Sequence, residues 1–299
     1  KRCNIDGNDV NELIFGNVLQ ANVGQNPARQ ACLLSGLPSN IPCTTINKVC
    51  SSGMKAIAFG ASQIKLGYNN VVICGGMESM SNVPHYILQH RFGIKMGHQS
   101  IIDGMIKDGL WDSFSDQHMG DCAEKCAKKH NVTRKEQDDW AIRSYKRAKT
   151  ANDDGTFDDE IVPIPVPQRK KADIIFKNDE GCMNLNENKL RNLKGAFDKK
   201  SGTVTAGNAS QLSDGAACLI LCSGKYLKDR YQKSINQMNN NNSESKQNNI
   251  DDNIIKPLKP MCEILSYADA AQDPVDFPTT PSLAIPIALK RANIKLSEL

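Results

Sequence analysis

The first third of the chain alternates between short apolar runs and segments with a helical period. Residues 10–36 predict a strand, a turn and a helix from Pro27 to Leu34, and residues 44–49 predict a short buried strand. From Ser51, apolar residues recur at helical spacing as far as Gly67, and the apolar run 71–74 ends in two glycines. Strand, helix and strand joined by short links predict a βαβ unit with parallel strands, and therefore an α/β fold.

The middle of the chain, residues 87–200, is more polar, which predicts a segment inserted in the α/β core rather than more of that core. One helix is expected over residues 120–130, and a second follows the capping-box sequence at Thr133 and runs through Tyr145. Prolines alternate over residues 163–167, which favours an extended edge segment. The apolar run 216–222 predicts a return to the core.

The last part of the chain opens with a tract rich in asparagine. Residues 236–253 contain eight asparagines and few side chains that a core could bury. Such a tract cannot offset its ordering entropy by apolar burial, so we predict a disordered insert over 232–253. A strand over residues 261–267 and a helix from Pro281 are expected to follow it.

Composition and charge exclude several classes of protein. No apolar run approaches the roughly 20 residues of a membrane helix, so we expect no membrane partner. The net charge of +4 is spread along the chain and does not indicate a nucleic-acid partner. The 11 cysteines are scattered, which favours reduced thiols in an intracellular compartment over a disulfide framework.

Cys50 lies where the predicted strand meets the predicted helix. Ligands of open α/β sheets gather beyond the carboxyl ends of the strands. The N-terminus of a helix carries positive partial charge, which favours a nucleophilic thiolate. These features allow either a nucleophile or a small buried side chain at Cys50, and the pattern alone leaves both open.

Several blocks in the chain closely resemble those of the thiolase family and follow the family order. The blocks are Gly24-Gln-Asn-Pro-Ala-Arg-Gln30, Asn47-Lys-Val-Cys50-Ser-Ser-Gly-Met-Lys-Ala56, Gly75-Gly-Met-Glu-Ser-Met-Ser81, Asp116-Gln-His-Met-Gly120, Thr203-Val-Thr-Ala-Gly-Asn-Ala-Ser210 and Asp273-Pro-Val-Asp-Phe-Pro278. The similarity covers nearly the whole chain apart from the asparagine-rich tract. It is greatest to the biosynthetic acetyl-CoA acetyltransferases of the family.

The resemblance implies a layered α/β fold of mixed sheets with buried helices. Residues 1–92 and 206–231 would form an N-terminal core with an incomplete start, and 93–205 a loop domain that binds coenzyme A. The insert 232–253 would follow, and residues 254–299 would begin a C-terminal domain.

The resemblance also assigns roles to individual residues. Cys50 would accept an acetyl group as a thioester and pass it to a second acetyl-CoA or to free CoA, forming or cleaving acetoacetyl-CoA. CoA is then a substrate, and no organic cofactor is implied. Family positions in contact with substrate or CoA match His118, Met119, Tyr145, Lys189, Phe197, Ser210 and Phe277.

A potassium ion is the one metal that the resemblance suggests. The Phe277-Pro278 pair matches the potassium-activated, mitochondrial-type enzymes of the family. Their ion is surrounded by the residues matching Tyr145, Ala206, Gly207 and Ala209, the last three through backbone carbonyls. Ligation by oxygen alone suits a hard cation, although carbonyls at a turn also bind water.

Three blocks that thiolases carry later in the chain do not occur in these 299 residues. They are an Asn-Glu-Ala-Phe block, a Gly-His-Pro block and a second cysteine before a glycine run. We therefore expect a thiolase chain cut at both ends.

Two other functions compete with an acetyl-CoA acetyltransferase. One is a broader 3-ketoacyl-CoA thiolase of β-oxidation, and the other is a catalytically dead CoA-binding protein. We further expect a homo-oligomer, either a dimer or a tetramer, and a mitochondrial rather than cytoplasmic location.

Overall fold

The computed structural model describes residues 2–243 and 258–299. Its strands are β1 (Glu12–Gly16), β2 (Cys43–Ile46), β3 (Val71–Glu78), β4 (His85–Ile87), β5 (Ile101–Asp103), β6 (Trp111–Asp112), β7 (Gln117–His118), β8 (Ile164–Gln168), β9 (Lys171–Phe176) and β10 (Gly215–Cys222). Its α-helices are α1 (Pro27–Leu34), α2 (Ser52–Lys65), α3 (Met119–Lys129), α4 (Arg134–Asp153), α5 (Glu180–Met183), α6 (Glu187–Arg191), α7 (Gly224–Ser243) and α8 (Thr280–Ala292).

The described residues divide into two compact units. The first comprises those within Lys1–Leu110, Leu212–Asp269 and Ala284–Leu299, and the second those within Trp111–Gln211 and Ala270–Leu283. The inserted loop domain was predicted at 93–205, whereas the second unit begins at Trp111. Residues up to 110 stay with the first unit because β5 pairs antiparallel with β4. Of the stretch 254–299, predicted as the start of a C-terminal domain, the described residues 258–299 are shared between the two units.

A four-stranded sheet in the order β10-β3-β1-β2 organises the first unit. Strands β2 and β3 both run parallel to β1, which lies between them, and β10 runs antiparallel to β3. The predicted parallel βαβ arrangement is therefore confirmed, with β1 inserted between its two strands. Strand β2 is an edge strand with half-exposed side chains, and it ends at Ile46 rather than at residue 49 as predicted.

Helices cover the two faces of this sheet. Because successive strand residues point to opposite faces, Leu13 and Phe15 pack toward α1 while Ile14 packs toward α2. Cys32 of α1 and Ala56 of α2 are fully buried in the two clusters. Burial of each large aliphatic side chain contributes about 1.5–3 kcal/mol, so one interface holds α1 and the other holds α2 against the sheet.

The glycine pair Gly75-Gly76 lies inside β3, although we predicted that it would end the strand. A Cβ atom on Gly75 would lie 2.1 Å from the carbonyl oxygen of Ala217, and one on Gly76 would lie 3.0 Å from that of Gly16. Strand β3 thus continues to Glu78 because glycine lets β10 and β1 approach it closely.

Helix α4 extends further than predicted, and α7 was not predicted. The capping box of Thr133 and Glu136 forms as expected, but α4 continues beyond Tyr145 to Asp153. Helix α7 covers residues 224–243, so the first part of the predicted insert, 232–243, is helical rather than disordered. Ser234 in it is buried, which shows that packing anchors its first half. Residues 244–253 of the predicted insert lie outside the described residues.

The strand predicted over residues 261–267 is wrong, because these residues form irregular backbone. A strand requires a neighbour for its ladder, and within the described residues this segment pairs with no strand. The predicted helix from Pro281 is present as α8. Across residues 2–243 and 258–299, no helix combines the length and apolar composition of a membrane span.

The second unit contains α3, α4, α5 and α6. Ala141, Ile142 and Leu190 form its small apolar cluster, with Tyr145 packed against it. The proline-alternating segment forms β8 and pairs with β9 as a two-stranded, largely exposed ribbon. The edge character predicted for it is therefore confirmed.

Candidate active site

Cys50 lies in a tight turn between the end of β2 and the start of α2. Val49, the residue before it, has a φ of 48°, a left-handed conformation that is rare for a β-branched residue. The side chain of Ser52 accepts a hydrogen bond from the Lys48 N–H at 2.8 Å and donates to the Val49 carbonyl at 2.6 Å. Asn47 accepts from the Val49 N–H at 2.8 Å. These contacts hold a strained turn that leaves Cys50 exposed.

Helix α2 begins directly above the carboxyl ends of two strands. A Cβ atom on Gly16, the last residue of β1, would lie 2.6 Å from Ser52, so only glycine admits the helix at this distance. A Cβ atom on Gly53 would lie 3.7 Å from the carbonyl oxygen of Gly75 in β3. The free N–H groups of the first helical turn, which favour negative charge, therefore lie at the edge where α/β sheets bind ligands.

Several of the other cysteines differ from Cys50 in their environment. Burial raises the pKa of the Cys74 thiol to about 12, with the nearby charge of Glu12 adding to the effect. Burial raises the pKa of the Cys32 thiol to about 11, and a hydrogen bond with the Cys43 side chain adds to the effect. Burial also raises the pKa of Cys122 and of Cys222. Since the thiolate is the reactive form, these four thiols are poor nucleophiles near neutral pH.

In the second unit, His118 forms the N-cap of α3 and lies against Phe197. Its Nδ1 accepts a hydrogen bond from the Gly120 N–H at 3.0 Å, and its ring stacks on Phe197 with centroids 4.8 Å apart. A Cβ atom on Gly120 would lie 2.2 Å from the Phe197 ring, so glycine is required there. Met119 follows as the half-buried first residue of α3. The structure thus brings together His118 and Phe197, which lie 79 positions apart in the sequence.

The segment 203–210 is held by carboxylates from two helices. Glu124 of α3 accepts from the Thr203 N–H and hydroxyl, both at 3.0 Å, and from the Val204 N–H at 2.8 Å. Asp138 of α4, almost fully buried, accepts from the Asn208 side chain at 2.9 Å. Glu124 and Asp138 are not among the residues predicted from the sequence. No local pattern marks them, since each contact spans about 70 or 80 residues.

Within this segment Asn208 organises a turn around Thr205. The Asn208 side chain accepts from the Thr205 N–H at 2.7 Å, and the Thr205 carbonyl accepts from the Ala209 N–H at 2.9 Å. Among the described residues, the carbonyls of Ala206, Gly207 and Ala209 accept no hydrogen bond. These three oxygens are therefore available to a cation or to water.

The remaining candidates occupy different surroundings in the second unit. The Tyr145 hydroxyl accepts a hydrogen bond at 2.7 Å from Gln211, the residue that follows the exposed Ser210. Lys189 lies exposed on α6. Phe277 lies in a 3₁₀ helix, Pro274–Thr279, which Asp276 joins to Lys129 of α3 at 2.8 Å. Cys50 belongs to the first unit, and all the other candidates belong to the second.

Comparison with a protein-family model places most of the chain in one family. The model for the thiolase N-terminal domain matches residues 1–225. This match includes Cys50 and the segment 203–210.

Individual proteins give the same result over the full length of the chain. Acetyl-CoA acetyltransferase 2 of Arabidopsis thaliana is 46% identical over 299 residues, which is 100% of this chain and 68% of that protein. The cytosolic acetyl-CoA acetyltransferase of Gibberella zeae is 45% identical over 98% of this chain and 67% of its own length. The crystal structure of a thiolase from Ascaris suum in complex with coenzyme A superimposes with a TM-score of 0.85 at 37% identity, over 99% of this chain and 68% of that one. The chain thus spans about two thirds of the length of these relatives.

Proposed function

The chain belongs to the thiolase family, and from that premise we propose that it transfers acetyl groups between CoA thioesters through Cys50. The observation that carries the proposal is the strained turn that exposes Cys50 at the start of α2. The predicted α/β fold and the predicted family both support it.

In the proposed reaction the Cys50 thiolate attacks the thioester carbonyl carbon of acetyl-CoA. A carbon–sulfur bond to Cys50 forms, the bond to CoA breaks, and CoA departs with the electron pair as its thiolate. In condensation, a base takes a proton from the methyl carbon of a second acetyl-CoA, and that carbon bonds to the acetyl carbonyl carbon. The bond to Cys50 then breaks, which releases acetoacetyl-CoA and the Cys50 thiolate. Alternatively, a CoA thiolate takes the acetyl group and Cys50 leaves in the same way. Free N–H groups at the start of α2 offer hydrogen bonds to the oxyanion that forms on the carbonyl.

We place His118, Met119, Phe197, Ser210, Lys189 and Phe277 along the acyl and CoA chain of the substrate. The His118–Phe197 stack supports this role, because it presents an apolar ring and a polar imidazole side by side. Such a pair suits pantetheine, which alternates methylene groups with amides. The exposed ammonium group of Lys189 suits the phosphates of the nucleotide end.

The acyl-chain preference is tested by offering acetyl-CoA, butanoyl-CoA and octanoyl-CoA to the chain and mapping the acylated cysteine by mass spectrometry. We expect acetylation of Cys50 to exceed octanoylation by at least about tenfold, since pocket length discriminates by about this factor. Comparable rates would instead identify a broader 3-ketoacyl-CoA thiolase. Binding of CoA without acyl transfer from any donor would identify a CoA-binding protein without catalysis.

We also propose a potassium site formed by the Tyr145 hydroxyl and the carbonyls of Ala206, Gly207 and Ala209. The unpaired carbonyl oxygens support it, and oxygen-only ligation suits a hard monovalent cation. When bound, the ion would neutralise these dipoles and order the segment that ends at Ser210.

Thermal unfolding tests the potassium site. KCl should raise the unfolding midpoint more than NaCl at equal ionic strength, because an ion that binds only the folded state stabilises it. Tyr145→Phe should remove most of this difference by deleting one ligand. Tyr68→Phe serves as the matched control, because Tyr68 is an exposed tyrosine of the first unit. Equal midpoints in both salts for the unaltered chain would contradict the site.

For assembly and compartment we propose an intracellular homo-oligomer, a dimer or a tetramer. Exposed apolar side chains at Phe92, Ile94 and Met96 support association, and light scattering measures it. The expectation of a mitochondrial location is not carried forward, because one close relative is named as cytosolic. Imaging of the tagged protein in cells decides the compartment.

A further inference from the structure

The irregular segment from Ser266 to Asp269, which we call the strap, lies along helix α2. The Tyr267 hydroxyl is 2.5 Å from the Ser62 hydroxyl, in the third turn of the helix. Asp269 reaches Lys55 in the first turn, with Nζ to Oδ2 at 2.6 Å, and also pairs with Lys48 before the helix begins. The strap therefore runs from the C-terminal half of α2 to the turn that carries Cys50.

Helix α8 holds the strap from its other side. The Ser266 hydroxyl donates to the Ala288 carbonyl at 2.7 Å, and the Arg291 guanidinium donates to the Tyr267 carbonyl at 2.7 Å. Asp269 is consequently presented by an anchored backbone rather than by a free loop.

Asp269 joins residues on both sides of Cys50. Each carboxylate oxygen takes one ammonium group, from Lys48 two positions before Cys50 and from Lys55 five positions after it. These two lysines keep the pKa of Asp269 below its usual range, Lys48 more than Lys55. The carboxylate thus stays charged at neutral pH and closes a bridge across the turn.

An isolated ion pair at a protein surface contributes little to folding stability. The arrangement at Asp269 differs from an isolated pair. One carboxylate serves two lysines, and the Lys55 side chain is only 22% exposed. Its ammonium group also lies over the Phe59 ring, 4.7 Å from the centroid, which restricts where it can point. The turn that is bridged contains Val49 at a φ of 48°, a conformation that persists only where its surroundings enforce it.

We propose that Asp269 is a positioning residue for Cys50, which holds the strained turn at the start of α2 by pairing with Lys48 and Lys55 together. This inference rests on the proposed role of Cys50 as the nucleophile. Without the bridge the turn can relax at Val49, and the thiol then loses its place at the helix N-terminus.

The experiment measures how fast iodoacetamide alkylates each exposed cysteine of the folded chain. Iodoacetamide is uncharged, so added salt does not change its approach by screening. In the unaltered chain Cys50 should react faster than Cys3 and Cys218, which serve as internal controls because they are exposed too. Asp269→Asn should slow Cys50 about two- to fivefold, the range expected for a partly exposed ion pair, and leave both controls unchanged.

Three further measurements separate positioning from a general loss of structure. Asp269→Glu keeps the charge and should restore most of the Cys50 rate. About 1 M NaCl, where the screening length is about 3 Å, should slow Cys50 more in the unaltered chain than in Asp269→Asn. Lys65→Met, at the far end of α2, should have no effect, because Lys65 forms no ion pair among the described residues. If Asp269→Asn fails to fold, Lys48→Met tests the same bridge.

The outcomes distinguish failure of the inference from failure of the proposed function. A fast Cys50 in the unaltered chain that reacts equally fast in Asp269→Asn would overturn the role of Asp269. A Cys50 that is no faster than Cys3 and Cys218 in the unaltered chain would overturn its assignment as the nucleophile.

Discussion

Replacing Cys50 by serine should abolish covalent acetylation of the chain by acetyl-CoA, with a loss on the order of 10³-fold or more in rate. A cysteine thiol is already a few per cent thiolate near neutral pH, whereas a serine hydroxyl is almost wholly protonated there and is a far weaker nucleophile. The turn itself should survive, because its hydrogen bonds come from Ser52 and Asn47 rather than from the sulfur. Mass spectrometry of the peptide that contains residue 50, after incubation with acetyl-CoA, measures the effect.

The matched control is Cys218→Ser, which removes another exposed thiol in the same unit. It should be acetylated at Cys50 as rapidly as the unaltered chain. The prediction fails if the acetyl group is found on a different cysteine, or if Cys50→Ser retains activity within about tenfold of the original.

Gly75→Ala should lower the free energy of unfolding by about 3 kcal/mol, at the upper end of what overpacking costs. The new methyl carbon would lie 2.1 Å from the Ala217 carbonyl oxygen and 2.9 Å from the Cys218 Cα, both in the backbone of β10. A backbone cannot rotate away as a flexible side chain can, so β10 or β3 must shift. A Cβ atom on Gly53, at the start of α2, would lie 3.7 Å from the Gly75 carbonyl oxygen, so a shift of β3 should also disturb the Cys50 turn.

Urea unfolding, followed by circular dichroism, measures this loss, and Gly215→Ala is its control. Gly215 lies in β10 on the same ladder, yet a Cβ atom there would meet nothing within 4 Å. Its substitution should change the free energy of unfolding by no more than about 0.5 kcal/mol. Equal effects of the two substitutions would show that the strand spacing at Gly75 is looser than described.

The family could be predicted from the sequence, and Cys50 could be singled out as the candidate nucleophile, because both depend on contiguous residues. The block from Asn47 to Ala56 contains Cys50 together with the start of its helix, and helical period and caps are set over three or four positions. The same reason explains why α1, α3 and the capping box at Thr133 were predicted correctly.

What only the tertiary structure decided are features that join residues far apart in the chain. Strand β3 continues through Gly75 because the backbone of Ala217 approaches it closely. The strap, residues 266–269, is not part of a strand because side-chain contacts join it to α2 and α8. Glu124 and Asp269 likewise act on residues 79 to 221 positions away. A local pattern reports the propensity of a residue and the hydrophobic period of its segment. The roles of Gly75, Glu124 and Asp269 depend instead on which backbone or charged group the fold brings within about 3 Å of each residue.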